Sequence, residues 1–527
     1  MKKGLLFAAF LLLLGLPACD RGFEEVNRNP LEPTEVYYEA IFNELVNSLR
    51  LGWNRQLFLH NEMLYDLTEL GAVTASTFGN IDAGVEEIWS NYYGALKNAR
   101  ELKIVLNELA AADPEATDLV EAQVDILMAY KTFQMLDFFG DIPYSEAAQA
   151  YAETAVVRPV YDDDREIYLG LLNDLRTASE LLATAPSNTE AGNPYLDLGN
   201  FDALLGDDRG RWVKFANSMR LRYLLRIYEL ETSLVESEIG QLIVDGAPFL
   251  GEGEDIQMLP AEQGWSDLGV NWSFREHNRL RMGTTLWNFL TEDGTILDPR
   301  APIFFETNTA EEWVPFPQVA PAGTPQSGGA PYNKDGRDNV YDNKGEENIY
   351  SSFNFYLVRD EQDIPEVLFS AAEVKFLLAE VFLRGIGTAK DESIASFRYR
   401  EGMLISINFW KALVSNSAIW ENQDNAIGAI QPFDVTGHPR YQFVFGAPEV
   451  DNLRKIYTQR WVDYFRQPWE AFSLLRQTDL LPREKPSNNF FRFKYPVSET
   501  SFNFENWSAQ VARMGGDETN IKVWWME

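Results

Sequence analysis

TDLVEAQVDILMAYKTFQMLDFFGDIPY, residues 117–144, decides the fold class. Leu119, Ile126, Ala129, Phe133 and Leu136 recur at three- and four-residue intervals, the period of one helical face. Gly140 tolerates the positive φ of a helix stop. Pro143 fixes the way out. The spacing therefore predicts a helix over 117–139 that ends in a turn. Upstream, 84–110 repeats the pattern with Ile88, Tyr92, Ala95, Ala99 and Leu102, and 34–53 and 55–75 read as two more helices, with Thr34 a suitable N-cap. Downstream, helices are expected over 164–184, over 211–231 with Val213, Ala216, Met219, Tyr223, Ile227 and Leu230 in line, and over 233–245.

The character changes after Gly246. Residues 247–365 are rich in Gly, Pro, Asn and Asp and hold one convincing helix, near 282–291. The stretch 306–365 reads mostly as loop, yet it carries Trp313, Phe316, Tyr332 and Tyr341, which disordered segments rarely do. Long irregular segments inside a folded chain are usually functional or disordered. Helical patterns return over 366–384, apolar on two faces, with an i,i+4 pair of Glu380 and Arg384 and Gly385 as stop. Further helices are predicted over 390–414 and 450–466, and Pro468 opens one over 468–476. The tail from Asn488 reads as aromatic and irregular. The fold class is mainly α, with helix pairs at 34–75 and 84–139 that suggest tetratricopeptide-like stacking. The strict motif of that repeat is absent.

The N-terminus has Lys2 and Lys3, about twelve apolar residues from Leu5 to Leu16, and then Leu16-Pro17-Ala18-Cys19. This is the layout of an export signal over 1–18, and its core is shorter than the roughly 20 residues of a membrane helix. Cys19, the only cysteine in the sequence, follows a small residue as in the lipobox of bacterial lipoproteins. Residue 19 is thus expected to carry lipid, with 19–33 a tether. With no second cysteine, no intrachain disulfide can form. The net charge is −35, and −37 once Lys2 and Lys3 are removed with the signal. That field argues against nucleic acid as a partner and against lying on an anionic leaflet. A neutral ligand such as a sugar is not repelled.

Several segments, in order, carry a family likeness: 27–30 (NRNP), 136–147 (LDFFGDIPYSEA), 212–222 (WVKFANSMRLR), 298–300 (DPR), 373–385, 456–461 (IYTQRW), and 492–496 (RFKYP) with Glu499, Asn503 and Asn506. Together they resemble the SusD/RagB-like nutrient-binding lipoproteins of Bacteroidetes, in the SusD-like branch. The resemblance implies a SusD-like α-helical fold in a single domain over 34–527. Helix pairs over 34–246 and 366–486 would scaffold a loop-rich, ligand-binding region over 247–365. It implies a lipid-anchored protein on the cell surface of the outer membrane. Such a protein sits on a SusC-like TonB-dependent transporter and delivers oligosaccharides or oligopeptides to it, without cofactor or catalysis. Two positions depart from the pattern: Pro468, where relatives tend to have glycine, and Leu404, where they tend to have arginine.

A sugar ring stacks its C–H face on Trp or Tyr while Asn, Asp and Arg bond its hydroxyl rim. Trp265, Asn271, Trp272 and Arg275 offer that mixture within a dozen residues, and Trp313, Tyr332, Asn333 and Tyr341 offer it again. Phe78, Asn80 and Asp82 form a weaker third patch. The competing reading is that each aromatic only pins its loop to the scaffold. Trp89, Trp212, Trp461 and Trp469 fall on helical faces and are assigned to the core. Arg220, Arg222 and Arg226 on one helix are assigned to ion pairs with carboxylates. The run Asp335, Asp338, Asp342, Glu346 and Glu347 lacks the EF-hand spacing and reads as solvated charge rather than a metal site. His60, His277 and His438 have no metal-ligand spacing, and no nucleophile elbow, phosphate loop or dinucleotide fingerprint is present. The expected function is capture without catalysis, glycan being preferred and peptide left open. The alternatives are a helical adaptor that only caps the transporter, and a lipid-anchored glycoside hydrolase.

Overall fold

The helix foreseen at 117–139 runs Asp118–Phe139 and is buried on every side: from Leu119 onward only Glu121 and Asp125 escape burial. A helix covered all round lies at the centre of its fold. In the computed structural model the described residues are 37–74, 80–111, 115–149, 156–186, 195–259, 279–329, 331–332, 348–354, 365–415, 432–486 and 489–526. Glu39–Glu527 forms one compact unit, and Met1–Tyr38 a separate one of which Tyr37 and Tyr38 are described.

Helices of the large unit pack beside their neighbours in sequence. Ile81–Ala110 lies against Asp118–Phe139, which lies against Asp164–Thr184, which in turn packs on Arg209–Arg226. Ala371–Arg384 pairs with Glu392–Ser415 and with Glu449–Asp463. Local chemistry sets their ends. Asp163 accepts hydrogen bonds from the Arg165 and Glu166 amides, Ser370 accepts from Glu373, and Gly385 closes its helix at φ 74°. Pro468 stands at the first turn of Pro468–Gln477.

Four expectations are corrected. The first predicted pair shrinks to Tyr38–Asn47 and a wide, π-helical Arg55–Leu64 that narrows at Tyr65–Leu67. The wide turn accommodates buried polar side chains that bond one another: Gln56 Nε2 donates to Asn61 Oδ1 at 2.8 Å, and His60 Nδ1 lies 3.0 Å from Gln56 Oε1. The helix expected from 366 begins at Ala371, because Glu366–Phe369 pairs as an antiparallel strand with Ile256–Met258. The helix expected over 211–231 stops at Arg226. The tail holds two surface helices, Val497–Phe502 and Phe504–Met514. Gln510 alone is buried in the second, so no core stripe announces it.

The loop-rich region is stitched by short antiparallel pairs: Ala72–Val73 with Leu280–Arg281, Thr291–Glu292 with Thr295–Ile296, and Phe305–Glu306 with Ser352–Phe353. The middle pair turns on Asp293 and Gly294, both at positive φ (49° and 79°). Asp-Gly is the preferred dipeptide of such a turn.

The helical halves are joined by an alternating chain of buried charges. Asp137 pairs with Arg226, Arg226 with Glu470 at 3.0 Å, and Glu470 with Arg222 at 3.1 Å. Arg222 then grips Glu373 with two donors, Arg460 lies 3.9 Å from Glu373 and 3.6 Å from Glu380, and Glu380 meets Arg384 at 3.1 Å. These bonds bear out the ion-pair reading of Arg222 and Arg226, and Arg220 likewise pairs with Glu238 at 2.8 Å. Trp89, Trp212, Trp461 and Trp469 are all in the core, at 5%, 0%, 0% and 2% exposure.

Glu366 is the least comfortable member of this interior. It is 1% exposed, neither carboxylate oxygen has a hydrogen bond, and Arg466 lies 3.8 Å away. Burial outweighs the pull of Arg466 and Arg55 and pushes its pKa up to about 7. The folded state therefore holds this proton more tightly than the unfolded chain, so this group's contribution to stability falls as pH rises through that window. Glu366→Gln should gain on wild type by about 1–3 kcal/mol between pH 5 and pH 8 in urea titrations. A gap that does not change with pH would contradict this.

Candidate ligand-binding site

One short helix, Thr284–Leu290, organises the site. Gly283 precedes it, and a Cβ there would lie 2.1 Å from Gln318 Oε1 and 3.2 Å from the Gly71 carbonyl carbon, so a larger residue would have to displace the Gln318 side chain. Gly283 bridges to Phe316, which brings the long proline-rich loop onto the helix start. At the other end, Arg440 donates to the carbonyls of Asn288 and Phe289, each at 2.9 Å, and of Thr291. Tyr441 also donates to Phe289 O at 2.7 Å. A guanidinium on the last carbonyls suits the negative end of a helix.

The face formed by Thr285, Asn288 and Phe289 lines a cavity of ≈ 790 Å³. Its apolar walls include Tyr399, Val444, Ala447, Leu480 and Pro482. Its polar groups are Arg440, Arg454, Lys455 and Arg483 with Asp451 and Glu484. Small-molecule sites have this size and this mixture of apolar walls and few polar groups. The wall at 483–485 is held by Glu69. This buried residue sits at φ 58°, and its carboxylate accepts the Glu484 and Lys485 amides at 2.9 and 3.0 Å and the Thr285 hydroxyl. Glu484 in turn accepts from Thr284 Oγ1 at 2.7 Å. The Tyr399 phenol is pushed up by burial, so it stays a neutral wall.

On another side of the helix, Trp287 stacks on Trp313 with ring centroids 5.0 Å apart and planes at 23°. Trp287 is buried, and Trp313 is half-buried. Tyr332 is 6% exposed and donates its hydroxyl to Phe353 O at 2.9 Å, so its ring fills the interior here. Burial raises its phenol well above the ordinary value. Trp265, Asn271, Trp272, Arg275, Asn333 and Tyr341 lie outside the described residues, as do Cys19, Phe78 and the acidic run from Asp335 to Glu347. Asn80 caps the helix Ile81–Ala110 by accepting from the Ala83 amide at 3.3 Å. The cavity residues were not among the sequence candidates. Only the i, i+3, i+4 set of Thr285, Asn288 and Phe289 left a local signal.

Residues 34–496 match the SusD-like family model, described as "Starch-binding associating with outer membrane". The chain belongs to the SusD-like family. No curated protein sequence matches it. Its SusD-like fold is shared with a chitin-binding protein of known structure, 22% identical, TM-score 0.67, over 93% of this chain and 99% of that one. A chitin-binding SusD homolog from Flavobacterium johnsoniae is 20% identical with TM-score 0.64, over 92% and 98%. A SusD homolog from Bacteroides fragilis is 19% identical with TM-score 0.67, over 93% and 100%. At these identities the likeness establishes the fold.

Two of the segments that carried the SusD-like resemblance, 492–496 and 298–300, are scaffold joints. Arg492 Nε donates to Phe139 O at 3.1 Å and Tyr495 Oη to Asp141 O at 2.7 Å, so 492–496 is bolted to the 140–144 turn. Arg300 binds Asp298 at 2.7 Å, Ser406 at 2.9 Å and Gln459 at 2.8 Å, which ties 298–300 to two helices. Arg300, Arg492 and Tyr495 do not line the cavity, whereas Thr458 of the 456–461 segment does. Among the described residues no helix is long and apolar enough to cross a membrane.

Proposed function

We propose that this SusD-like chain captures oligosaccharides in the cavity beside Thr284–Leu290, without catalysis. It would be anchored at the outer-membrane surface through lipid on Cys19 and pass its ligand to a SusC-like TonB-dependent transporter. The cavity carries the reading. Phe289 offers aromatic surface, and Asn288, Arg454 and Lys455 offer partners for hydroxyl rims. Trp313, half-exposed and held flat by Trp287, is a second platform nearby. The starch-binding description of the family and the two chitin-binding relatives support the ligand class.

Calorimetry of the purified protein against malto- and chito-oligosaccharides and a peptide panel tests this. At least one oligosaccharide should bind, and Trp313→Ala should weaken it about five- to tenfold, the scale of one stacking contact. No binding to any oligosaccharide by folded protein would favour the capping adaptor. Release of shorter products would replace capture with hydrolysis.

A further inference from the structure

The cavity lining is cationic in a chain of net charge −35, and its cations are not equally engaged. Arg440 is committed to three carbonyls and to Glu292 at 3.5 Å. Arg483 faces Glu69 at 3.7 Å. Glu484 is occupied by the hydroxyl of Thr284 and the amide of Asn288. That leaves Arg454 and Lys455, adjacent on the helix Glu449–Asp463, with Asp451 one turn before them.

Among the described residues, Arg454 reaches only the Leu480 carbonyl, at 3.4 Å, and Lys455 only the Gln442 carbonyl. Neither has a carboxylate within ion-pair distance among the described residues. Asp451 stands in the first turn of its helix, where a negative charge is favourable without any cation. Two cations that spend their donors on single carbonyls keep donors for a ligand. Burial lowers the Lys455 amine, and the Asp451 carboxylate one turn back offsets part of that. A sugar hydroxyl needs no cation, whereas a carboxylate or sulfate gains charge-assisted bonds from both.

We propose that the cavity is selective for acidic oligosaccharides, with the carboxylate or sulfate of a sugar ring held between Arg454 and Lys455 and the ring laid along Phe289. This rests on the capture reading above and names the ligand class of the same site. A uronate and a sulfated sugar share the chemistry, and the probes separate them.

The experiment is calorimetry of the full protein with an oligogalacturonate, a sulfated oligosaccharide, maltohexaose, chitohexaose and an acidic peptide, at low and high salt. An acidic oligosaccharide should bind at least about tenfold tighter than either neutral hexamer, and less so at high salt. The double variant Arg454→Gln/Lys455→Gln should lose at least about tenfold toward the acidic probe, together with its salt dependence. Asp451→Asn, which removes a competing carboxylate, should tighten the acidic probe, so a gain accompanies the loss and misfolding cannot mimic the pair. Neutral hexamers that bind as tightly as acidic ones would overturn the selectivity and leave capture standing. Binding of the peptide but of no sugar would overturn both, as would binding of nothing.

Discussion

Arg222→Ala should cost about 3–5 kcal/mol of folding stability, one of the two largest single-site losses expected in this chain. The guanidinium is wholly buried and holds two carboxylates: Glu373, through Nε at 2.7 Å and through Nη2, and Glu470, through Nη1 at 3.1 Å. It also lies 3.7 Å from the centre of the Phe369 ring. Among the described residues, truncation leaves Glu373 with Arg460 at 3.9 Å as its nearest cation, and Glu470 with Arg226 alone. A buried carboxylate that loses its partner cannot recover its hydration, so the loss exceeds the net worth of the pair. Arg222→Lys should recover little, because an ammonium cannot present the planar fork that bridges both acids. Urea unfolding monitored by tryptophan fluorescence reads both variants. An alanine variant within about 1 kcal/mol of wild type would show that these charges do not hold the helices together.

Trp461→Ala should also cost about 3–5 kcal/mol, and it should weaken ligand binding as well. The indole is fully buried, and its Nε1 donates to Thr68 O at 2.8 Å, which joins the helix Glu449–Asp463 to the end of Tyr65–Leu67. Its ring meets Phe289 edge-on at a centroid distance of 6.5 Å. Phe289 lines the cavity, so a void behind it removes the support of one wall. Urea unfolding and calorimetry on the same preparation separate the two effects. Lost stability with unchanged affinity would show that the cavity wall stands without Trp461.

The helical scaffold was legible because its stripes are long and periodic. Asp118–Phe139 and Asp164–Thr184 lie within a residue of their predicted bounds. The misses share a cause, in that the deciding interaction is remote or weakly patterned. Glu366–Phe369 is apolar enough for a helix and becomes a strand because Ile256–Met258 lies beside it. The surface helix Phe504–Met514 buries too little to print a stripe. Asp293-Gly294 was a local signal that sequence reasoning passed over.

The site was harder to read, because its walls come from Thr285–Phe289, Tyr399, Arg440–Thr458 and Leu480–Glu484, brought together only by folding. Aromatic content within loops selected Trp313, which the structure stacks on Trp287 half-exposed, and Tyr332, which it turns inward. The family motifs helped little here: Arg300, Arg492 and Tyr495 serve the scaffold, and of the 456–461 segment Thr458 reaches the cavity wall.

Capture stands or falls on whether an oligosaccharide occupies the cavity beside Thr284–Leu290. A crystal structure of the protein with its tightest-binding oligosaccharide tests that most directly. A sugar ring should lie against Phe289, within hydrogen-bond reach of Asn288, Arg454 or Lys455. Sugar bound elsewhere on the molecule, with this cavity holding only water, would contradict it.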